Sequence, residues 1–193
     1  MLVVAALEEE VAHVPAGVEV TVTGVGKARA AAALAHRLAR GSQPDVVVNL
    51  GTAGAVDGFV TGLVEVTWVT QHDFPYDAIE LLAGQPVERG YALSNAVPRL
   101  VHDRPIGSTA LATGDVFVAD AAHAERLSAQ GIHLVDMEAF AFAAVCAEFE
   151  VAFRCVKVVS DVADEDAGAS WLDTIDACAR SLGAWVTQVT ATL

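Results

Sequence analysis

The chain has 193 residues, of which 54% are hydrophobic, and a net charge of −14. This length fits one domain, and we expect a single domain over residues 1–193. The acidity excludes a nucleic-acid partner, which demands Lys and Arg. The lack of an apolar run of roughly 18 residues and of a signal-peptide pattern predicts no membrane partner and a cytoplasmic location.

The first half of the chain alternates between strand and helix patterns. Residues 1–6 are a continuous apolar run, typical of a strand buried on both faces, and a glycine turn at 24–26 precedes a helical pattern. The predicted elements are strands over 1–6 and 18–23, a helix over 27–40 closed by Gly41, a strand over 45–50 that ends in the turn Gly51–Gly54, and a strand over 63–71.

The second half continues the alternation after residues 72–104, which read as a long loop with one strand near Tyr91. The predicted elements are a strand over 106–113, a helix over 120–130, strands over 133–136 and 153–160 separated by a buried helix over 137–149, and a C-terminal helix opened by a capping box at Ser170–Asp173. Its buried stripe is predicted as Leu172, Ile175, Ala179, Leu182, Val186 and Val189. This alternation predicts an α/β fold with a mixed, largely parallel central sheet flanked by helices.

Several common site classes are absent from the sequence. Gly24-Val25-Gly26 is followed by Arg29 where a dinucleotide-binding turn needs its third glycine, and no Walker or GxSxG pattern occurs. The three cysteines have no CxxC spacing and His72 has no HExxH-type partner, so His72 stays a weak loop candidate. We therefore expect no metal and no cofactor.

Residues with chemical potential follow almost every predicted strand. In open α/β sheets, ligands bind beyond the carboxyl ends of the strands. The segments that follow strands are Glu8–Glu10, Gly24–Gly26, Gly51–Gly54, Gly114–Phe117, Met137–Glu138 and Asp161. One edge of the sheet is therefore expected to gather carboxylates, an aromatic ring and glycine turns around a small molecule.

Six blocks of the chain resemble, in order, those of the nucleoside phosphorylase and nucleosidase superfamily, with the closest similarity to 5'-methylthioadenosine/S-adenosylhomocysteine nucleosidases. The blocks are ALEEEV, GVGKARAA, PDVVVNLGTAG, ATGDVFV, VDMEAFAFAAVC and VKVVSDVADED. The resemblance covers most of the chain except 72–104. It implies a nucleoside phosphorylase-like fold, a purine nucleoside as the small-molecule partner, and a homodimer or higher homo-oligomer.

The resemblance also implies a role for individual positions. Glu10 corresponds to the carboxylate that activates the attacking water, Glu138 to the one that holds the ribose hydroxyls, and Asp161 to the group that protonates the departing purine. The other implied substrate-binding residues are Phe117, which stacks on the base, Val118, Met137, Thr52, Ala53, Ser160 and Val25.

These roles are chemically consistent. A purine is a poor leaving group until it is protonated, and a carboxylic acid at Asp161 serves this purpose if the site raises its pKa. Water then attacks the oxocarbenium-like sugar from the opposite face while Glu10 takes its proton, the two-carboxylate logic of inverting glycosidases. Hydrogen bonds from the ribose hydroxyls to Glu138 position the sugar.

Two other functions stay open at the sequence level. Phosphorolysis needs an anion site, usually built with Arg, and the resemblance places such an Arg at the position of Asn49. The EEE run occupies the place of the basic loop of the phosphorylases. Both departures favour water as the nucleophile, which leaves a phosphorylase as the second enzyme hypothesis. A non-catalytic nucleoside-binding protein is the third, although all three carboxylate positions are intact.

Several side chains are expected to have structural or undecided roles. Glu8, Glu9 and the acidic residues 164–166 are expected to be solvated or capping, Asp115 to anchor its loop, and Asp136 is undecided. Lys157 stands where the nucleosidases carry Arg. Phe74 and Tyr76, in the unmatched stretch, are weak candidates for contacts with the 5' substituent, whose identity the sequence does not reveal.

Overall fold

A computed structural model of the chain describes residues 1–56, 58, 60–163 and 167–191. Its strands are β1 (Leu2–Ala5), β2 (Glu19–Val22), β3 (Val46–Ala55), β4 (Leu63–Val66), β5 (Trp68–Gln71), β6 (Gly90–Ala92), β7 (Arg99–Val101), β8 (Ala110–Thr113), β9 (Leu134–Asp136) and β10 (Ala152–Val162). Its helices are α1 (Lys27–Arg40), α2 (Tyr76–Ala83), α3 (Ala121–Ala129), α4 (Ala139–Glu148) and α5 (Ala167–Thr190), and a short 3-10 turn spans Glu9–Val11.

The strands form one mixed sheet in the order β2-β1-β3-β9-β8-β5-β6-β7, and β10 pairs with β3 and β4. The pairs β1–β2, β1–β3, β3–β10, β8–β9 and β5–β8 are parallel, whereas the pairs β3–β9, β4–β10, β5–β6 and β6–β7 are antiparallel. The predicted α/β fold with a largely parallel central sheet is therefore confirmed.

The long strand β3 has one edge that is only partly occupied. β10 pairs with it from Val46 to Ala55 and so takes up one edge completely. On the other edge, β1 pairs as far as Asn49, and β9 begins at Gly54. The stretch between these two pairings has no strand beside it, which opens a crevice in the middle of the sheet.

Helices cover both faces of the sheet. On one face, Leu34 and Leu38 of α1 and Phe142 of α4 are buried in a core with the apolar side chains of β1, β3 and β10. On the other face, Leu182 and Val186 of α5 are buried against the same strands. Burial of each such side chain contributes about 1.5–3 kcal/mol, so the two cores hold the strands that frame the crevice. No helix in the described part of the chain is long and apolar enough to cross a membrane.

Several predicted boundaries are wrong, and β3 is the most informative. The predicted strand over 45–50 continues to Ala55, so the supposed turn Gly51–Gly54 lies inside a strand. The pairing with the equally long β10 keeps it extended, and neither glycine has a positive φ. Similarly, the strand over 153–160 runs on to Val162, with an irregularity between Val159 and Asp161.

Other differences concern the middle and the end of the chain. The strand over 63–71 is two strands, because β4 pairs with β10 while β5 pairs with β8. The strand over 106–113 begins only at Ala110, and the stretch 72–104 contains α2, β6 and β7 rather than one strand. Helix α5 begins at Ala167, before the predicted capping box, and Leu172 of its predicted buried stripe is 69% exposed. The acidic residues 164–166 lie outside the described residues.

Candidate active site

The crevice beside β3 holds a cavity of about 260 Å³. It lies where β1, β8 and β9 end. β1 runs parallel to β3, whereas β9 runs antiparallel to β3 with β8 parallel beside it, so their carboxyl ends meet from opposite sides at the open stretch of β3. All ten candidate site residues from the sequence line this cavity: Glu10, Val25, Thr52, Ala53, Phe117, Val118, Met137, Glu138, Ser160 and Asp161. The sequence-distant segments that carry them are thus brought to one place.

The carboxylate of Glu10 is fixed at the cavity wall by hydrogen bonds. Its Oε2 accepts from the amides of Ala6 (3.1 Å) and Leu7 (3.2 Å), just beyond β1. Its Oε1 accepts from the amide (2.9 Å) and the hydroxyl (3.1 Å) of Thr52, on the unpaired stretch of β3. Glu10 is 5% exposed, whereas the two glutamates before it are exposed, as predicted. The side chain is therefore held with one defined orientation.

Two glycines of β3 allow the charged side chains to approach the strand. A Cβ on Gly51 would lie 3.0 Å from both Oε1 of Glu10 and Nζ of Lys157. A Cβ on Gly54 would lie 3.0 Å from Oδ1 of Asp161. These distances are shorter than nearly all contacts of real Cβ atoms, so the glycines are needed for close packing rather than for a turn.

Glu138 is a buried carboxylate at the first turn of α4. Its Oε1 accepts a hydrogen bond of 2.8 Å from the amide of Gly26, in the turn that precedes α1. Burial, reinforced by the nearby carboxylate of Asp136, raises the pKa of Glu138 to about 7. The cavity therefore contains a carboxyl group that changes protonation state near neutral pH.

Asp161 and Ser160 are adjacent residues on β10 that both line the cavity. The hydroxyl of Ser160 donates a hydrogen bond of 2.6 Å to Oδ2 of Asp161. Ser160 is buried and Asp161 is half-buried, beside the open stretch of β3. The carboxyl group of Asp161 is thus oriented by its neighbour.

Apolar side chains form the rest of the wall. Phe117 follows β8 and is 55% exposed, whereas Val118 is buried. Val25 comes from the turn before α1, and Met137 lies between β9 and α4. An aromatic ring that is half open to the cavity offers a face to a planar ligand.

Asp136, which the sequence left undecided, pairs with Lys157. Their Oδ2 and Nζ atoms are 2.8 Å apart, and both side chains are 2% exposed. Asp136 also accepts hydrogen bonds from the hydroxyl of Thr113 (2.6 Å) and from the amide of Ala139 (3.0 Å to Oδ2). Although burial alone lowers it, the surrounding carboxylates, Asp136 first, hold the pKa of Lys157 above its ordinary value.

Trp171 on α5 is a site residue that the sequence analysis missed. Its Nε1–H donates a hydrogen bond of 2.9 Å to the hydroxyl of Thr52, which in turn donates to Glu10. It was missed because the predicted stripe assigned burial to Leu172. An indole in the first turns of a helix that follows the acidic residues 164–166 in the sequence was the available signal.

Asn49 lies beneath the site, within β3. Its Nδ2 donates to the carbonyls of Val4 and Leu50, each at 3.2 Å, and the side chain is buried. It therefore supplies structural hydrogen bonds rather than a positive charge. No Lys or Arg is found among the described residues that line the cavity.

His72, Phe74 and Tyr76 lie around a different cavity of about 820 Å³, between β5 and the two helices α2 and α3. Among the described residues, both ring nitrogens of His72, the hydroxyl of Tyr76 and Nε1 of Trp68 are buried without a hydrogen-bond partner. No group of three or more potential metal ligands was found in the described ranges.

Comparison with known proteins agrees with this geometry. The model of the family described as the phosphorylase superfamily matches residues 11–192. The chain is 32% identical over 165 residues to a 5'-methylthioadenosine/S-adenosylhomocysteine nucleosidase of Anoxybacillus flavithermus, covering 77% of this chain and 69% of that protein. It is 30% identical over 183 residues to a nucleosidase of the same name from Psychromonas ingrahamii, covering 88% and 78%.

Solved structures show the same fold at lower identity. The 5'-methylthioadenosine/S-adenosylhomocysteine nucleosidase of Helicobacter pylori superposes with a TM-score of 0.81 at 19% identity, covering 100% of this chain and 97% of that one. The futalosine hydrolase of the same organism superposes with a TM-score of 0.82 at 18% identity, with the same coverage.

Proposed function

The chain belongs to the phosphorylase superfamily, within the group of 5'-methylthioadenosine/S-adenosylhomocysteine nucleosidases, and we propose that it is an enzyme that hydrolyses the N-glycosidic bond of a purine nucleoside, most simply an adenine nucleoside. The observation that carries this proposal is the convergence of Glu10, Glu138 and Asp161 on one cavity that Phe117 borders. We take the roles of these residues as part of the same proposal.

The proposed reaction begins at the base. The carboxyl group of Asp161 donates a proton to N7 of the purine, so that the cationic base accepts the electrons of the breaking C1'–N9 bond and leaves as the neutral purine. The hydrogen bond from Ser160 keeps this carboxyl in place. Stacking on Phe117 holds the base in position as the bond lengthens.

Water completes the reaction at the sugar. Bond breaking leaves positive charge on C1' and the ring oxygen, and a water molecule attacks C1' while Glu10 accepts its proton. The four hydrogen bonds to Glu10 hold its carboxylate in one orientation before the reaction begins. Glu138 accepts hydrogen bonds from the ribose hydroxyls. The products are the free purine base and the free sugar.

Water is favoured over phosphate as the nucleophile. A phosphate dianion would enter a cavity lined by four carboxyl side chains, with no Lys or Arg among its described lining residues. The nearest cation, Lys157, is already paired with Asp136. Repulsion between like charges at short range in such a site amounts to several kcal/mol, so phosphorolysis is disfavoured.

The names of the most similar relatives support a substrate class. We propose 5'-methylthioadenosine or S-adenosylhomocysteine, because the curated relatives at 30–32% identity are nucleosidases named for both. The test is chromatography of adenosine, inosine, both thioethers and futalosine, each incubated with and without phosphate. Adenine release without phosphate is expected. Release only with phosphate, together with ribose 1-phosphate derivatives, contradicts hydrolysis, and binding without release identifies a nucleoside-binding protein.

We also propose a homodimer in the cytoplasm. Leu81 and Leu82 on α2 are 83% and 82% exposed. A second copy packed on α2 would cover both side chains. Light scattering on the purified protein tests the dimer, and a monomeric mass at micromolar concentration contradicts it.

The three cysteines are free and buried, which suits a reducing compartment.

A further inference from the structure

Three residues outside the cavity form a closed ring of hydrogen bonds. The amide of Asp115 donates to Oδ2 of Asp73 at 2.8 Å, and Nζ of Lys27 donates to Oδ1 of the same carboxylate at 2.5 Å. The amide of Lys27 then donates to Oδ1 of Asp115 at 2.9 Å, which closes the ring. These residues are 42 to 88 positions apart along the chain, so the ring is a tertiary feature.

The ring joins two loops that both contribute to the cavity. Lys27 directly follows the turn that carries Val25 and whose Gly26 amide holds Glu138. Asp115 directly precedes Val116 and Phe117, which line the cavity as well. Two segments that contact the nucleoside are thus fastened to each other just outside the site.

Asp73 is the common acceptor of the ring. Its side chain and that of Lys27 are each 19% exposed, so the ion pair is largely screened from solvent. Gln71 accepts a second hydrogen bond from Nζ of Lys27 at 3.0 Å, which restrains the ammonium group. Burial alone raises the pKa of Asp73, but the hydrogen bonds from Lys27 and the Asp115 amide hold it below its ordinary value.

We infer that Asp73 is a positioning residue of the nucleoside site: through Lys27 and Asp115, its carboxylate sets the distance between the base-stacking loop and the turn that holds Glu138. This inference rests on the proposed function of the cavity. Phe117 is half exposed and has little packing of its own. The ring therefore orders this loop before the base binds, so that less conformational entropy is lost on binding.

The test compares Asp73→Ala, Lys27→Met and the double variant with the unchanged chain. We expect KM for the adenine nucleoside to rise roughly tenfold in each single variant while kcat changes by less than about threefold, because ground-state positioning is lost and the three carboxylates are untouched. The double variant should resemble either single variant, since the two side chains act as one unit.

The matched control is Glu65→Gln. Glu65 pairs with Arg154 at 2.8 Å, with side-chain exposures of 36% and 22%, and neither residue lines the cavity. It should lower the unfolding temperature by an amount similar to Asp73→Ala without changing KM. If Asp73→Ala likewise lowers only the unfolding temperature, or if the single effects add in full, the positioning role is wrong.

The same variants separate this inference from the proposed function. If the unchanged chain releases no base, the proposed hydrolysis is wrong, and calorimetric Kd values for the nucleoside replace KM in the comparison. A tenfold weaker Kd in Asp73→Ala but not in Glu65→Gln would then still support the ring as the device that positions the site. Equal Kd values in all variants would refute it.

Discussion

Asp136 and Lys157 form an ion pair of 2.8 Å in which both side chains are 2% exposed. Lys157 lies on β10, and its ammonium group and the carboxylate of Glu10 both lie beside Gly51. Lys157 does not line the cavity. Such a buried pair gives little net stability, because each ion must be desolvated, but either ion alone is costly. The pair therefore keeps the floor of the site neutral.

Replacing Lys157 with Met should destabilise the fold by about 3–5 kcal/mol, because Asp136 would stay buried without its partner. The free energy of unfolding in urea measures this loss. Arg180→Ala is the control, since its pair with Asp176 is 66% exposed on both sides and should contribute little to stability. Equal losses in the two variants would show that the buried pair is not special.

Glu10→Gln should lower kcat by about 10²–10⁴-fold, because the amide accepts no proton from water. The NH2 group of Gln cannot accept from the donors that one of the two carboxylate oxygens now serves, so the unfolding temperature should fall modestly while the fold survives. Steady-state rates with an adenine nucleoside measure the effect. Glu9→Gln, at the exposed neighbouring position, should turn over normally. Normal turnover of Glu10→Gln would remove its role as base.

Asp161→Asn should also lower kcat by about 10²–10⁴-fold, because the amide has no proton to give to the purine. The loss should be smaller for a nucleoside whose base leaves without protonation, such as a nitrophenyl riboside. Comparing the two substrates isolates the acid role. Asp173→Asn, on the exposed side of α5, is the control and should behave as the unchanged chain does. A loss of the same size on both substrates would indicate misfolding of the site instead.

Glu138 should give kcat/KM an acid limb centred near its pKa of about 7, which burial and then Asp136 raise from the ordinary value. Below that pH the carboxyl group is protonated in the free enzyme and accepts hydrogen bonds from the ribose hydroxyls poorly. Glu138→Gln should lower kcat/KM and flatten this limb, as a pH–rate profile would show. A limb that persists near pH 7 in the variant would assign it to another group.

The raised pKa of Glu138 also affects stability, but in the opposite direction: low pH lowers activity and favours the folded state. The folded pKa of Glu138 lies above the unfolded value, so the folded state binds more protons between them. Its contribution to stability is therefore present at low pH and is lost as the pH rises from about 4.5 to about 7. Urea unfolding at the two ends of this window should show a smaller decline for Glu138→Gln than for the unchanged chain. A decline of the same size would rule out this linkage.

Trp171→Phe should lower kcat by a few-fold, because it keeps an aromatic ring but loses the hydrogen bond to Thr52 that supports Glu10. Adenine should quench the tryptophan fluorescence of the unchanged chain, since Trp171 lines the cavity. The variant should lose most of this response. Trp185→Phe, on the same helix but away from the cavity, should retain it, and the reverse pattern would contradict the placement of Trp171.

The sequence predicted the residues of the site better than it predicted the backbone that carries them. Glu10, Glu138 and Asp161 follow apolar runs that are easily recognised, so the rule of ligand binding at strand ends brought them together. Gly51–Gly54 was interpreted as a turn because glycine usually ends a strand. Their actual task, close approach of charged side chains to β3, depends on the pairing with β10, which no local pattern contains.

The middle of the chain was predicted poorly for a related reason. Helix α2 has only eight residues, fewer than the roughly 11 over which helical periodicity is recognised, and none of them is buried. The split of β4 and β5 at Thr67 follows from two different partners in the sheet. Trp171 was missed because the predicted stripe placed its neighbour Leu172 on the buried side of α5.

The crevice along β3 separates two parts of the sheet that carry different residues of the site. Glu10 and Asp161 are held by β1, β3 and β10. The loop of Phe117 follows β8, and the segment after β5 follows the next strand, both on the other side of β9. Changes in the second part can alter which nucleoside fits without displacing these two carboxylates. Such modularity makes the scaffold evolvable: selection can retune substrate preference in the peripheral segments while the bond-breaking chemistry is inherited unchanged.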